Sequence, residues 1–273
     1  MATQAHGKVL IIAGSDSGGG AGIQADIKTV TALGGYAMTA ITALTAQNTR
    51  GVHGVHAVPP AFLQKQIDAV MDDLGADALK TGMLHDAQTI ECVVELAEGP
   101  GRGIPLVVDP VMVAQSGAQL LDPGAVECLR ERLLPRATLL TPNLPEAEVL
   151  LRQHIPGVDD MEDAARALQS MTGGAVLLKG GHLPGDSIVD VLAGPEDVRV
   201  YRHARIHTHH THGTGCTLAS AIAVALAQSM SLEAAVEQAR HYLLEAIRTA
   251  PGFGGGGGPV NHCHTVDRGS LRP

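Results

Sequence analysis

Residues 8–22 read KVLIIAGSDSGGGAG, an apolar run that ends in a glycine-rich loop. Short apolar runs rich in β-branched residues are typical of buried strands. A helix-like segment follows, in which Ile23, Ile27 and Val30 are spaced at i, i+4 and i+7 and are predicted to share one buried face. The order strand, loop, helix predicts the first unit of an α/β fold.

The same alternation continues along the chain. Further strands are predicted within 36–48, 52–58, 78–84, 104–112, 137–143, 174–182, 187–193 and 197–203, and further helices within 61–74, 86–97, 216–229 and 232–249. This pattern predicts an α/β fold with a central, mostly parallel sheet and helices on both faces. Because the sequence shows no internal repeat and no interdomain linker, residues 1–273 are expected to form a single domain. The glycine run at 252–258 fits either a tail linker or a functional loop.

Composition and charge narrow the class of protein. Hydrophobic residues make up 45% of the 273 residues and charged residues 17%, which is an ordinary globular composition. Aromatic residues are only 2% and tryptophan is absent, so the anchors used to bind protein partners or single-stranded nucleic acid are scarce. The net charge of −9 argues against a nucleic-acid partner, since phosphate backbones require a basic surface.

The cysteines and the N-terminus bear on the compartment. Cys92, Cys128, Cys216 and Cys263 form no C-x-x-C pair, which argues against a zinc ribbon or a redox motif. Reduced thiols in a cytoplasmic protein are the simplest interpretation. The sequence has no signal-peptide pattern and no apolar run long enough to span a membrane. A cytoplasmic protein without a membrane partner is therefore expected.

Polar residues gather where the predicted strands end. In open α/β sheets, ligands bind beyond the carboxyl ends of the strands. In this chain those ends carry 14–16, 47–48, 82–83, 109–110, 141–143 and 179–181. Because strand interiors are apolar and polar groups recur at their ends, the sequence predicts one composite active site at this edge of the sheet.

The segment HGTGC at 212–216 stands directly before a predicted helix. Glycines let backbone N–H groups approach an anion closely, and a helix N-terminus adds about half a positive charge. Gly213, Thr214, Gly215 and Cys216 are therefore candidates for an anion hole, although a glycine-rich helix start can also be a simple turn. Neither a P-loop nor a G-x-G-x-x-G motif occurs in the chain.

Three charged residues near strand ends are further candidates. Asp109 and Glu146 are suited to hold Mg²⁺, directly or through water. Glu146 fits equally well as a first-turn helix residue favoured by the helix dipole. Lys179, which finishes an apolar strand, can neutralise a phosphate or extend its ammonium group to solvent.

The chain resembles a known family in seven ordered blocks: IAGSDSGGGAGIQADIKT, TALTAQNTRGV, KTGML, VVDPVMV, TPNLPEA, LLKGGH and THGTGCTLASAIA. They resemble the bacterial hydroxymethylpyrimidine/phosphomethylpyrimidine kinases of thiamine biosynthesis, which belong to the ribokinase-like superfamily. The resemblance runs from about residue 8 to GPVNHCH near the C-terminus. It implies a ribokinase-like cytoplasmic homodimer that uses ATP and Mg²⁺ to phosphorylate 4-amino-5-hydroxymethyl-2-methylpyrimidine and then its monophosphate.

The resemblance also implies roles for residues at the substrate end of the site. Gln47 of TAQN would hydrogen-bond the pyrimidine, and Met83 of TGML and Val111 of DPVM would contact its ring. Asp26, in the first block, is a further predicted substrate-binding residue.

At the nucleotide end, the resemblance implies that Asn143 and Glu146 form the N-x-x-E motif that organises the Mg²⁺ site. Asp109, Lys179 and Thr214 would face the nucleotide phosphates, and 213–216 would form the anion hole.

The chain departs from the family pattern at three positions. Many relatives have a lysine where this chain has Gln115, and TKN where it has 208–210, which include His209 and His210. Positive charges near the nucleotide are thereby lost or replaced by titratable groups. The histidines between 203 and 212 lack the paired spacing of a zinc site, so zinc is not expected.

Cys216 stands where ribokinase-like sugar kinases usually have an aspartate that acts as the base for the substrate hydroxyl. A helix N-terminus lowers a thiol pKa from about 8.5, which predicts that Cys216 accepts the hydroxymethyl proton in the first step. In the second step the acceptor is a phosphate that already ionises at about pH 6 and needs no base. The alternative is that the thiol only shapes the site.

Two other functions remain open from the sequence. A pyridoxal kinase on the same fold would act on a similar hydroxymethyl group, and it is compatible with a side activity of this chain. A catalytically silent pyrimidine-binding protein is the other alternative, and the intact HGTGC segment argues against it.

Overall fold

The computed structural model describes residues 7–267, and within them nine strands form one sheet. The strands are β1 (Lys8–Asp16), β2 (Tyr36–Asn48), β3 (Gly51–Ala57), β4 (Ala78–Thr81), β5 (Leu106–Val108), β6 (Leu139–Leu140), β7 (Ala175–Lys179), β8 (Ser187–Ala193) and β9 (Val198–Ala204). Their order in the sheet is β3-β2-β1-β4-β5-β6-β7-β8-β9. The central pairs from β2 to β7 are parallel, whereas β3, β8 and β9 pair antiparallel at the two edges. The predicted mostly parallel sheet is confirmed.

Helices cover both faces of the sheet, as predicted. They are α1 (Gly22–Ala32), α2 (Pro60–Asp73), α3 (Ala87–Glu98), α4 (Val126–Cys128), α5 (Leu144–Leu151), α6 (Met161–Gln169), α7 (Thr214–Ala227) and α8 (Leu232–Arg248). One apolar core packs α1, α7 and α8 against the sheet, and a second packs α2 to α6 against the opposite face. The prediction missed α4 and α6 and included α5 only through the alternative that Glu146 is a first-turn helix residue. These helices have three, nine and eight residues and present too few turns for a clear period.

The buried face of α1 differs from the predicted one. Ile23 and Val30 are buried, but Ile27 is 38% exposed. Asp26 and Thr29 occupy the buried positions between them. The prediction of Ile27 is wrong because the carboxylate of Asp26 finds buried polar partners, which the periodicity of apolar residues cannot reveal.

The glycine run at 252–258 packs against the turn between β2 and β3. The N–H of Gly256 donates to Oγ1 of Thr49 at 3.3 Å, and the chain then pairs with His212 at Pro259. The tail-linker alternative is therefore wrong for this segment. Among the helices of residues 7–267, none is both long and apolar enough to cross a membrane.

Candidate active site

A cavity of about 1100 Å³ opens at the carboxyl edge of the parallel strands. Strand ends and the start of α7 bring eleven of the predicted site residues to its wall: Gln47, Met83, Asp109, Val111, Asn143, Glu146, Lys179, Gly213, Thr214, Gly215 and Cys216. They come from segments more than a hundred residues apart in sequence. Their convergence follows from the parallel arrangement, which places the polar strand ends at one edge.

Lys179 and Asp109 form the charged centre of the cavity. Nζ of Lys179 lies 3.2 Å from Oδ1 of Asp109, which also accepts a hydrogen bond from Thr141 Oγ1 at 3.2 Å. Burial disfavours the charge on Lys179, but the carboxylates of Asp109 and Glu146 outweigh burial and raise its pKa. The ammonium group is therefore charged and held in place at neutral pH.

Glu146 has a structural role at the start of α5 and also lines the cavity. Its side chain accepts the N–H of Asn143 at 2.8 Å, and Oδ1 of Asn143 accepts the N–H of Glu146 at 2.9 Å, a reciprocal capping box. Burial raises the pKa of Glu146 to about 7, with Lys179 opposing and Asp109 adding to the shift. The alternative of a first-turn helix residue is thus confirmed, together with a position on the cavity wall.

The donor set fits a magnesium ion that is shared with phosphates. Within residues 7–267 no three histidine, cysteine, aspartate or glutamate side chains form a group that could hold a metal. Mg²⁺, however, is usually bound through one or two carboxylates and completes its octahedron with water and substrate phosphates. Asp109 and Glu146 could supply those carboxylates, and their mutual repulsion in a buried site is a reason for a cation there.

The first turn of α7 faces this charged centre. Gly213 has a left-handed backbone with φ of +82°, and a Cβ at this position would collide with the carbonyl oxygen of Gly20. A Cβ on Gly215 would lie 3.4 Å from Oδ2 of Asp109 and 3.5 Å from Nζ of Lys179. The N–H of Thr214 donates to the carbonyl oxygen of Thr211 at 3.3 Å. The N–H groups of Gly215 and Cys216 follow in the first turn, where intrahelical acceptors are lacking, so they can bind an anion next to Lys179.

Cys216 does not have the lowered pKa that its place at a helix start predicted. Burial raises the pKa of the thiol to about 12, and nearby Asp26 and Asp109 add to the shift, while Lys80 opposes it. The predicted thiolate near neutral pH is therefore wrong. Sequence reasoning gave weight to the helix dipole, but it could not foresee that the thiol is half-buried near the carboxylates of Asp26 and Asp109.

Asp26 lies behind the cavity wall rather than in it. Its carboxylate is fully buried and accepts hydrogen bonds from Nζ of Lys80 at 2.8 Å and from Oγ of Ser220 at 2.7 Å. The predicted contact between Asp26 and substrate is wrong, because no atom of a ligand in the cavity can reach a fully enclosed carboxylate. Lys80 was missed, although a lysine inside an apolar strand was a visible signal for a buried charge.

Asp16 and His212 form a second pair that was missed as a functional feature. Oδ2 of Asp16 lies 2.9 Å from Nε2 of His212, and the carboxylate also accepts N–H groups from Gly18, Gly20 and Ala21 at 2.8 to 2.9 Å. Burial favours the neutral acid, but these bonds outweigh it and lower the pKa of Asp16. The pair joins the glycine-rich loop after β1 to the loop before α7.

Gln115 and His210, two of the residues that depart from the family pattern, link three loops at the rim of the cavity. Nε2 of Gln115 donates to Oγ1 of Thr211 at 2.8 Å. Nδ1 of His210 accepts the N–H of Gly258 at 3.2 Å, and the rings of His209 and His210 lie 3.9 Å apart. Gln115 and His210 thus link these loops by hydrogen bonds.

Comparison with known proteins agrees with this geometry. A model of the family described as phosphomethylpyrimidine kinase matches residues 16–261. The thiamine biosynthesis bifunctional protein ThiED of Geobacter sulfurreducens is 54% identical over 258 residues, which are 94% of this chain and 52% of ThiED, so the chain spans about half of that relative. The hydroxymethylpyrimidine/phosphomethylpyrimidine kinase of Bacillus subtilis is 49% identical over 256 residues, 93% of this chain and 94% of the relative. The ADP complex of Bacillus subtilis pyridoxal kinase superposes with a TM-score of 0.88 at 36% identity and covers 94% of this chain and 98% of its own.

Proposed function

The chain belongs to the phosphomethylpyrimidine kinase family, and from this premise we propose that it phosphorylates 4-amino-5-hydroxymethyl-2-methylpyrimidine with ATP and then phosphorylates the monophosphate to the diphosphate. The pathway served is thiamine biosynthesis. The observation that carries the proposal is the Lys179–Asp109 pair beside the start of α7, in the same cavity as Gln47.

The phosphate end of the cavity suits phosphoryl transfer, which depends on positioning and charge stabilisation rather than on covalent chemistry by the protein. Lys179 neutralises charge on the transferred group. The backbone amides of Gly215 and Cys216, in the first turn of α7 after Gly213 and Thr214, bind its oxygens as an anion hole. Removing one such donor typically costs about 10²–10³-fold in kcat.

Asp109 and Glu146 are the proposed ligands of Mg²⁺, which when bound neutralises the charge of the nucleotide phosphates. Asn143 positions Glu146 through the reciprocal hydrogen bonds of the capping box. Asn143 itself also lines the cavity, at the proposed nucleotide end.

The hydroxymethyl proton needs an account other than a thiolate base. Because burial raises its pKa to about 12, the Cys216 thiol is protonated at pH 7. In a loose, metaphosphate-like transition state the attacking oxygen needs little activation before the new O–P bond forms. We therefore infer that Cys216 enters the reaction protonated, contributes its backbone amide to the anion hole, and fills the space beside the acceptor with its thiol.

At the other end of the cavity, Gln47, Met83 and Val111 are the proposed contacts of the pyrimidine. The amide of Gln47 offers a donor and an acceptor to a ring edge. Met83 is buried and Val111 lies beside it on the cavity wall, so both present apolar surface to a flat ring.

The direct test is to incubate the purified protein with ATP, Mg²⁺ and the pyrimidine alcohol and to quantify mono- and diphosphate by chromatography. The proposal expects the monophosphate first and the diphosphate later, and both should be abolished when Mg²⁺ is chelated. Tight binding of the pyrimidine with no phosphorylated product would instead identify a silent binding protein.

A side activity toward pyridoxal is a second proposal. It rests on the similarity of fold to the Bacillus subtilis pyridoxal kinase over 94% of this chain. Pyridoxal also carries a hydroxymethyl group on a six-membered nitrogen ring, so the same anion hole can serve it. Turnover of both substrates under the same ATP concentration measures the preference.

We further propose a single catalytic domain over residues 1–273, a cytoplasmic location and a homodimer. The one continuous sheet supports the single domain, and four free cysteines between 7 and 267 fit a reducing compartment. In the described structure β3 pairs with β2 alone, and this edge hairpin exposes Leu44 and Val55, which suits a second copy of the chain. Light scattering of the wild type and of a Val55→Lys variant tests the dimer.

A further inference from the structure

The imidazole of His212 lies between the carboxylate of Asp16 and the side-chain amide of Gln47. Its Nε2 atom is 2.9 Å from Oδ2 of Asp16, and the amide atom of Gln47 placed as Nε2 is 3.4 Å from the same imidazole nitrogen. The atom placed as Oε1 of Gln47 lies 3.1 Å from Oγ1 of Thr45 and accepts from it in that orientation. One ring nitrogen therefore faces both an acid and the residue proposed to read the substrate.

The carboxylate of Asp16, which faces Nε2 of His212, can only accept a hydrogen bond. Asp16 is buried and accepts three backbone N–H groups, which favour its ionised form and lower its pKa. An ionised carboxylate has no proton to give, so a contact of 2.9 Å requires a hydrogen on Nε2 of His212. The tautomer of the imidazole is thereby set by Asp16.

The orientation of the Gln47 amide follows from that hydrogen. Amide oxygen and nitrogen are told apart by the hydrogen bonds around them. With the oxygen toward His212, the Nε2–H that Asp16 accepts gains a second, longer acceptor at 3.4 Å, and the amide nitrogen donates to Oγ1 of Thr45. The hydroxyl of Thr45 is free to accept because its own hydrogen goes to the carbonyl oxygen of Ser15 at 3.0 Å. With the nitrogen toward His212, two N–H donors would face each other.

The imidazole itself has little freedom to turn away. A Cβ on Gly20 would collide with Cδ2 of His212, so the ring packs directly on the glycine-rich loop. The backbone N–H of His212 donates to the carbonyl oxygen of Gly258 at 3.1 Å, and the residue pairs with Pro259. The ring is thus fixed by packing on one side and by the backbone on the other.

We propose that His212 is a positioning residue for substrate selectivity: oriented by Asp16, it holds the amide of Gln47 with the oxygen toward the imidazole, so that the cavity presents one fixed order of donor and acceptor. The inference rests on the proposed function of the site. After these internal bonds, the amide still has one N–H and one lone pair for a ligand.

That fixed order suits an aminopyrimidine. A ring nitrogen next to an exocyclic amino group offers an acceptor beside a donor, the complement of an amide that cannot rotate. Pyridoxal has no amino group beside its ring nitrogen, and its phenol and aldehyde oxygens do not make the same pair. His212 thereby favours the aminopyrimidine through the orientation of the Gln47 amide.

Two variants separate this role from a merely structural one. His212→Met keeps the length of the side chain but removes the donor, whereas His212→Gln restores an N–H at the same reach. The readout is the ratio of kcat/KM for the aminopyrimidine alcohol to that for pyridoxal. Because both reactions share ATP and the anion hole, effects on those parts cancel in the ratio. We expect the methionine variant to lower the ratio by about two- to tenfold and the glutamine variant to restore it to within about twofold. A ratio that is unchanged in the methionine variant, or lowered equally in both, overturns the inference.

A measurement without turnover tests the same point independently. Long-range ¹H–¹⁵N spectra of the wild-type protein report which ring nitrogen of each histidine carries the hydrogen, and the His212 signal is the one that disappears in the methionine variant. We expect hydrogen on Nε2. A neutral ring with its hydrogen on Nδ1 overturns the inference even if the kinase is active. A wild-type protein that phosphorylates neither substrate contradicts the proposed function instead.

Discussion

Nζ of Lys80 lies 2.8 Å from Oδ1 of Asp26, and both side chains are fully buried one helical turn below Cys216. Ser220, four residues after Cys216 on α7, donates to the same oxygen at 2.7 Å. The pair joins α1, β4 and α7 directly behind the anion hole. Because burying two charges is costly, such a pair holds only when each charge keeps its partner.

Removing one partner should therefore destabilise the protein strongly. Lys80→Met leaves the carboxylate of Asp26 buried without its cation and should lower the free energy of unfolding by about 3–5 kcal/mol. The double variant Lys80→Met/Asp26→Leu removes both charges and should recover most of the loss. Urea denaturation of the three proteins measures this. If Lys80→Met had the same free energy of unfolding as the wild type, the Lys80–Asp26 pair would not stabilise the fold as we describe.

His262 should make the fold sensitive to acid. It is buried, its Nδ1 lies 3.2 Å from the hydroxyl of Tyr242, and its Nε2 has no hydrogen-bond partner among the described residues. Burial, followed by the charges of Lys28 and His264, lowers its pKa from 6.5 to about 4. The neutral ring thus contributes stability that is complete above pH 6.5 and is lost as the pH falls through 4.

The matched variant is His262→Gln, which cannot titrate. Between pH 6.5 and 4 the wild type should lose stability more steeply than the variant, by at most about 1.4 kcal/mol per pH unit. Denaturant titrations at several pH values measure the two slopes. Identical slopes across this window would assign the acid sensitivity to other groups.

Gln47→Ala should raise KM for the pyrimidine by about two- to tenfold with little change in KM for ATP. The reason is that Gln47 lines the cavity and is the proposed contact of the pyrimidine, whereas Lys179 and Asp109 are the groups proposed to face the nucleotide. Gln153→Ala, at an exposed site, is the control for loss of a glutamine. An unchanged KM for the pyrimidine would remove Gln47 from the proposed contacts.

Lys179→Ala and Glu146→Ala should lower kcat in both phosphorylations by about 10²–10³-fold, because both groups serve the nucleotide phosphates or Mg²⁺ rather than the acceptor. Lys65→Ala, at an exposed position on α2, is the control. Initial rates are measured for each step separately at saturating ATP and Mg²⁺. If either variant kept the turnover of the wild type, the role assigned to the substituted residue would be wrong.

Much of the fold follows from local pattern. The ribokinase-like α/β fold is confirmed, since buried strands alternate with helices and leave polar residues at the strand ends. Lys179 and Asp109 could be found this way because each finishes an apolar run. Strand order could not be read from the sequence, because β1 pairs with β2 and β4 through contacts that no local period encodes.

The misses share one physical cause, which is partners that lie far apart along the chain. Asp26 was predicted at the substrate because its partner Lys80, 54 residues away, was not foreseen. Asp16 and His212 are 196 residues apart, so neither segment alone indicates their contact. The pKa of Cys216 was predicted in the wrong direction because burial and neighbouring carboxylates depend on the packed structure.

The central claim is that phosphoryl transfer depends on the anion hole of α7 beside Lys179, with the thiol of Cys216 protonated. The most direct test measures the two phosphorylations separately in Cys216→Ala, with the alcohol and the monophosphate as acceptors. Alanine keeps the backbone amides of 213–216, and the second acceptor needs no base because phosphate ionises at about pH 6. We predict that both rates fall by the same factor, to within about threefold. A loss at least about tenfold greater in the first step would show that a thiolate removes the hydroxymethyl proton, and would contradict the account.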